Sequence, residues 1–360
     1  MTVPHNIYVH VPFCMSKCNY CAFFSRACAN PDWDLYTAGI VAELKYWERQ
    51  LGKISIPTIF FGGGTPSLMP VQSFRKIIHT ITTLFDTEPD CEITLESNPR
   101  TLDATKLDEF CAAGVNRLSI GIQSLSDERL QFLGRQHSVA DALHLVDLAR
   151  RKNIRLSADF IYGMPNDTVD DIVKLCDDIN ALGLGHCSMY ELTIEENTPF
   201  GKMNLNMPTN DEMAQMYIAI GDRLNIPRYE VSNYATHGNE CRHNMNIWDG
   251  APYIGIGRGG AGRVLINNQW YEQMGNGELF NPLDHGARAI ERVITGMRMV
   301  RGVILDNDTK KIINMDFVNS HPDLVYHTND GRIAATKHGM LILDDVIANM
   351  TRGVKCNTSF

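Results

Sequence analysis

At 360 residues, 44% of them apolar, the chain is long for one domain and has enough hydrophobic side chains for a sizeable core. Its 33 basic and 42 acidic residues leave a formal net charge of -9, which argues against a protein that coats nucleic acid. No run approaches the roughly 18 uninterrupted apolar residues of a membrane span. Met1–Asn6 carries no basic-then-apolar leader, so the ten cysteines are expected as reduced thiols in the cytoplasm rather than as a disulfide scaffold.

The first two hundred residues alternate strand-like and helix-like segments. A short apolar run, Ile7–Val11, reads as a strand and leads directly into Cys14, Cys18 and Cys21. A helix over Asp34–Leu51 precedes a strand at Thr58–Phe61, which ends in Gly62-Gly63-Gly64-Thr65. The pattern continues with helix Gln72–Leu84, strand Glu92–Ser97, helix Ala104–Ala113 and strand Arg117–Gln123. Helices at Ser126–Leu133 and Ala140–Lys152, strand Arg155–Tyr162, helix Val169–Leu182 and strand His186–Leu192 complete the series. Strands separated by helices predict a parallel sheet of βαβ units. Every one of these strands ends in polar or glycine-rich residues, and a barrel brings such ends together on one rim. An open doubly wound sheet would spread them along an edge. The barrel is therefore the expectation.

After Gly201 the rhythm breaks. Thr209-x-x-Glu212 is a capping box that opens a helix through Leu224. Tyr229–Gly262 reads as loop, Ala287–Val300 as helix, and Arg332–Ala335 with Lys337–Met350 as a strand and a last helix in a winged-helix-like tail. The expected division is a core barrel over 1–203 and a smaller C-terminal α/β domain over 204–360.

The cysteines Cys14-x3-Cys18-x2-Cys21 put three thiolates on one tight loop. Three thiolates can hold three irons of a [4Fe-4S] cubane and leave the fourth open, whereas an electron-transfer cluster normally uses four. A closed zinc or four-thiolate site, completed by His10 or Cys28, is the competing reading. The three glycines that follow the second strand let backbone approach a ligand closely. Glu96 and Gln123 end apolar strands, and Asp159 interrupts one, where a charge should not sit unpaired. Arg135 would pair with a carboxylate. Each of these alone is as readily a structural hydrogen-bonder; convergence on one rim is what would make them a site.

The three-cysteine loop, with Tyr20 before its last cysteine, resembles the signature of the radical S-adenosylmethionine (radical SAM) superfamily. That resemblance implies a partial (β/α)6 TIM-like barrel in which the open iron binds S-adenosylmethionine, and one-electron cleavage of its sulfonium makes a 5'-deoxyadenosyl radical. More specifically, Tyr8–Cys14, Phe61–Ser67, Leu95–Pro99, Arg117–Gln123, Asp159–Pro165 and Tyr229–Tyr234 are similar to the family that joins oxygen-independent coproporphyrinogen III oxidase and the heme chaperone HemW. By that resemblance Cys14, Cys18 and Cys21 ligate the cluster, while Tyr8, Tyr20, Gly63, Gly64, Thr65, Glu96, Gln123, Arg135 and Asp159 contact S-adenosylmethionine.

Three features resemble the chaperone branch more than the oxidase. The cysteine loop lies almost at the start of the chain, and Phe23 stands where the oxidase has a further cysteine. Cys241-Arg-His243-Asn244-Met-Asn-Ile-Trp248 is similar to the chaperone's H-N-x-x-Y-W motif, which implies heme ligation by His243 and coverage of the porphyrin by Trp248. The alternative is that His243 and Asn244 only tie down a loop. Ile247 replaces the motif's tyrosine, and Gly257-Arg258-Gly259-Gly260-Ala261-Gly262-Arg263 replaces a stretch that reads G-P-G-A-H, losing its proline and histidine, a change expected to loosen that loop and to remove any contribution of that histidine to substrate or heme. The resemblance implies heme as cargo, heme-accepting proteins such as membrane-associated respiratory enzymes as partners, no nucleic acid, and room for a homodimer. Radical oxidative decarboxylation of coproporphyrinogen III propionates is the competing activity.

Overall fold

The computed structural model describes residues 3–275 and 280–351; the end of the expected C-terminal division, 352–360, lies outside them. Six strands, β1 (Asn6–Val11), β2 (Ser55–Gly63), β3 (Asp86–Ser97), β4 (Arg117–Gln123), β5 (Arg155–Tyr162) and β6 (His186–Glu191), lie side by side in chain order. All five pairings between them are parallel. Helices Trp33–Leu51, Val71–Leu84, Ala104–Ala112, Val139–Arg150 and Val169–Leu182 make the returns. This is the expected partial (β/α)6 barrel.

The strands alternate with period two. One parity, including Ile7, Val9, Ile59, Phe61, Leu118, Ile120 and Phe160, joins the helices in the main apolar core. The other parity is largely polar: Tyr8, His10, Thr58, Glu92, Thr94, Glu96, Arg117, Ser119, Ser157, Asp159, His186 and Ser188. A strand buried on both faces would ordinarily be apolar throughout. Polar residues on the concave face therefore mark a lined interior. Capping boxes at Ser138/Asp141, Thr168/Asp171 and Thr209/Glu212 fix three helix starts, the last as the sequence predicts.

The sheet does not stop at six strands. Asn233–Ala235 pairs antiparallel with β6, and Tyr253–Ile256 pairs parallel with β1. Gly262–Ile266, Gln269–Gln273 and Phe280–Leu283 add an antiparallel meander, for 11 strands in all. The segment expected as loop, Tyr229–Gly262, thus contains two short strands and the helix Arg242–Trp248. Helix His285–Met297 leads into a second core containing Val293, Met297, Val325, Ile333, Val346 and Met350, beneath a three-stranded sheet. The last predicted helix is two, Lys337–Leu341 and Leu343–Met350, because the chain turns at Ile342 and brings Leu343, Val346 and Ile347 onto that core. No helix among the described residues is long and apolar enough to cross a membrane.

Candidate functional site at the barrel mouth

The cysteine loop is sewn to the glycine-rich end of β2 by main-chain hydrogen bonds. Gly64 N donates to Val11 O at 2.7 Å, Thr65 N to Phe13 O at 2.8 Å, and Cys28 N to Cys14 O at 2.9 Å. The approach is close enough that a Cβ on Gly64 would lie 2.6 Å from the Phe13 carbonyl oxygen. Gly63, at φ +111, would place a Cβ 2.6 Å from the His10 ring. Glycine is needed at both positions.

Cys14, Cys18 and Cys21 are free, partly exposed thiols. Burial pushes the Cys14 thiol up, opposed by hydrogen bonds from the Thr65 and Ser25 hydroxyls; the neighbouring Cys21 and Cys18 add to the rise. Arg135 Nη1 donates to Cys18 Sγ at 3.4 Å, and the Tyr20 hydroxyl also bonds Cys18. His10 is not available as a fourth ligand. Its Nδ1 bonds the Tyr8 hydroxyl at 3.0 Å and its Nε2 the Phe24 carbonyl at 2.7 Å. Among the described residues no three His, Cys, Asp or Glu converge tightly enough for a single metal ion. A cubane takes one iron per thiolate and is held by three of them, whereas a closed zinc site wants four ligands. Three free thiols beside an arginine, on a loop pressed against a glycine cradle, fit such a cluster.

The strand ends above the cysteines form one connected set. Glu96 accepts from Gly63 N at 3.1 Å. Burial pushes its carboxyl up to about 8, reinforced by Asp159 and opposed by Gly63 N–H. Burial also raises Asp159, against hydroxyl donors Ser188 at 2.7 Å and Ser119 at 3.0 Å. Tyr8, whose phenol is driven upward by burial and then by Glu96, sits beside this pair. Gln123 ends β4 at φ +70, where the pairing with β5 shifts register. A bulge with a left-handed non-glycine residue is a costly arrangement typical of functional strand ends. Arg135 Nη2 reaches Asn98 Oδ1 at 2.5 Å and Gly121 O at 2.7 Å, and Asn98 Nδ2 donates to Thr65 Oγ1 at 3.0 Å. The fold therefore brings Tyr20, Gly63, Gly64, Thr65, Glu96, Gln123 and Arg135 near the cysteine loop, while Tyr8 and Asp159 lie deeper in the barrel and meet the set through Glu96. It adds Asn98, which the sequence reading leaves unassigned inside its Leu95–Pro99 string.

His243 lies deeper. Its Nδ1 bonds Thr58 Oγ1 at 2.7 Å, and that hydroxyl donates to Asn6 Oδ1 at 2.8 Å. Nδ1 therefore carries the proton and Nε2 the lone pair. Burial lowers the imidazole to about 4, opposed by Glu92, so it is neutral near pH 7. The ring stacks on Phe60 at 5.1 Å and is 2% exposed, and Nε2 is buried without a hydrogen-bond partner. Trp248 meets a different neighbourhood, with Arg298 over its ring at 5.2 Å and its carbonyl bonded by Thr295.

Beneath His243 lies a charged layer absent from the sequence reading. Glu92 accepts from Arg242 N at 3.0 Å and His243 N at 2.9 Å, and pairs with Arg155 at 3.0 Å. Burial opposes its ionisation, yet Arg117, the His243 amide, Arg155 and the Arg242 amide together hold it below the usual carboxylate range. A glutamate directly preceding the apolar run Ile93-Thr94-Leu95 is the signal that would have found it, as a charge within an apolar run found Asp159.

The Gly257–Ala261 loop packs against the helix Trp33–Leu51 and the cysteine loop. Gly257 N donates to Glu43 Oε2 at 2.8 Å, Gly260 N to Gly257 O at 2.8 Å, and Arg258 lies 5.5 Å over Phe24 of the cysteine loop. A Cβ on Gly259 would lie 2.7 Å from both His10 and Phe24.

A six-stranded parallel partial barrel with three cysteines at its mouth defines a radical SAM protein, and the Radical SAM superfamily model matches residues 8–179. Membership implies a [4Fe-4S] cluster and S-adenosylmethionine. The heme chaperone HemW of Haemophilus influenzae is 35% identical over 73% of this chain and 71% of that protein. HemW of Escherichia coli is 35% identical over the same shares, and HemW of Mycobacterium tuberculosis is 29% identical over 96% and 95%. The chain belongs to the HemW family. In solved structures the fold is that of coproporphyrinogen III oxidase (HemN) from Escherichia coli, with a TM-score of 0.79 and 18% identity over 98% of this chain and 91% of that one.

Proposed function

We propose that the chain binds heme and passes it to heme-dependent proteins, respiratory enzymes at a membrane among them, from the cytoplasm. The observation that carries this reading is the match to heme chaperones over most of their length. In this reading Cys14, Cys18 and Cys21 hold the cluster. Tyr8, Tyr20, Gly63, Gly64, Thr65, Glu96, Gln123, Arg135 and Asp159 hold S-adenosylmethionine. The bound pair supplies one-electron chemistry, and the protein supplies orientation and exclusion of water. Glu96, with its carboxyl up at about 8, keeps a proton near pH 7 until a cation at the mouth displaces it. Arg135 presents a fixed positive charge to a carboxylate.

Heme belongs to the C-terminal division, 204–360, with His243 Nε2 as iron ligand and Trp248 against the porphyrin. A neutral imidazole with an unshared lone pair and no protein partner supports that assignment. Heme reaching Nε2 requires the helix Arg242–Trp248 to lift from Glu92, because the ring is 2% exposed.

Anaerobic reconstitution should yield about four iron and four sulfide per chain, lost in a Cys14→Ser/Cys18→Ser/Cys21→Ser variant. Heme titration should produce a Soret band that weakens in His243→Ala. Conversion of coproporphyrinogen III to protoporphyrinogen by the reconstituted protein would overturn the chaperone reading. Unchanged heme affinity in His243→Ala would overturn the ligand assignment.

A further inference from the structure

Arg135 is surrounded by acceptors, and none of them is a carboxylate. Nη2 is held by Asn98 Oδ1 at 2.5 Å and Gly121 O at 2.7 Å, and Nη1 by Cys18 Sγ at 3.4 Å; Nε is buried without a partner. Asn98 uses both ends of its amide. An arginine can only donate, so Oδ1 faces the guanidinium and Nδ2 turns to Thr65 Oγ1 at 3.0 Å. The Thr65 hydroxyl in turn favours the ionised Cys14 thiol. The result is a continuous run, Cys18–Arg135–Asn98–Thr65, that begins on a cysteine, crosses the ends of β2 and β3, and returns to the cysteine loop through Thr65 N and Phe13 O at 2.8 Å.

We propose that Asn98 is the positioning residue of the mouth: it aims Arg135 at the carboxylate of S-adenosylmethionine while adding no negative charge that would compete with that ligand. An aspartate of the same shape would do neither. It has no proton to give Thr65, and its charge would neutralise the arginine that must pair with the ligand. This inference rests on the cofactor reading above and deepens it by naming the residue that keeps the carboxylate contact available.

The test compares wild type with Asn98→Asp and Asn98→Ala, each reconstituted anaerobically. All should retain iron and sulfide, since no ligand is changed. The dissociation constant for S-adenosylmethionine, read from its effect on the electron paramagnetic resonance of the reduced cluster, should rise about tenfold in Asn98→Asp, the worth of one charge-assisted bond. In the absence of S-adenosylmethionine, the midpoint potential of the Asn98→Asp cluster should move negative, because the positive charge beside Cys18 is balanced. Asn98→Ala, which adds no charge, should weaken binding by a smaller factor and move the potential less. Wild type that fails to perturb its spectrum with S-adenosylmethionine would sink the cofactor reading itself. Wild type that binds, with both variants matching it in affinity and potential, would overturn the role of Asn98 alone. Should Asn98→Asp not fold, equal affinity of Asn98→Ala and wild type is sufficient to overturn it.

Discussion

Replacing Glu92 with alanine removes a carboxylate that is fully enclosed and serves several partners at once. The side chain is 0% exposed, pairs with Arg155 at 3.0 Å, and accepts the amides of Arg242 and His243 at 3.0 and 2.9 Å. Arg117, itself 2% exposed, depends on the same charge. Arg155, 26% exposed, can turn to water, but Arg117 cannot, and stranding a buried charge typically costs about 3–5 kcal/mol. Against a usual total of about 5–15 kcal/mol, that is a large fraction of the stability. Glu92→Gln keeps an acceptor for the amides but not the charge, and should fall between wild type and alanine. Urea unfolding of the cluster-free chain under reducing conditions, followed by far-UV circular dichroism, reads both as shifts in midpoint. The pH dependence gives a second signature. A folded pKa below the unfolded value of about 4.3 means that Glu92 contributes stability above that pH and loses it as pH falls through the folded value. That component should vanish in Glu92→Gln. A loss below about 1 kcal/mol for alanine, the size of an ordinary exposed contact, would refute the claim that this carboxylate anchors the Arg242–Trp248 helix.

Glu96 should behave in the opposite sense. Its folded pKa is raised to about 8, so the cluster-free protein loses stability as pH rises from the unfolded value of about 4.3 through that range, and Glu96→Gln should be the more stable chain at pH 8.5 by thermal melting. Gly63→Ala, forced to φ +111 with a Cβ 2.6 Å from His10, should cost on the order of 1–3 kcal/mol and lower cluster occupancy, measured by iron content; occupancy and melting equal to wild type would contradict the tight seam described here. Gly259→Ala, on the facing loop, should show the same pattern more weakly if the loop's contact with His10 and Phe24 supports the cysteine segment, with melting as the readout.

Much of this was legible along the chain. The six strands and their helices follow from local periodicity and caps, and β4 and β5 run over the residues expected. The cysteine spacing, the glycine run and the charged residues in apolar strands pointed to the mouth before any fold was known. The elements missed were short: Asn233–Ala235, Arg242–Trp248 and Tyr253–Ile256 span three, seven and four residues, too few for a period to register. The contacts of the Gly257–Ala261 loop with Glu43 and Phe24, more than two hundred residues earlier, have no local signature.

The amino-acid sequence by itself determined which chemistry the chain carries, because ligand spacing and alternation are properties of neighbouring residues. Only the tertiary structure decided which distant side chains meet. Parallel register sets Glu96 opposite Ser119 and Gly121 opposite Asp159, and sheet curvature lets Arg135 reach both Cys18 and Asn98, which in turn holds Thr65. The same closure seals His243 behind Phe60 and Glu92. Burial and pairing across the sheet depend on the closed shape, which no single segment encodes.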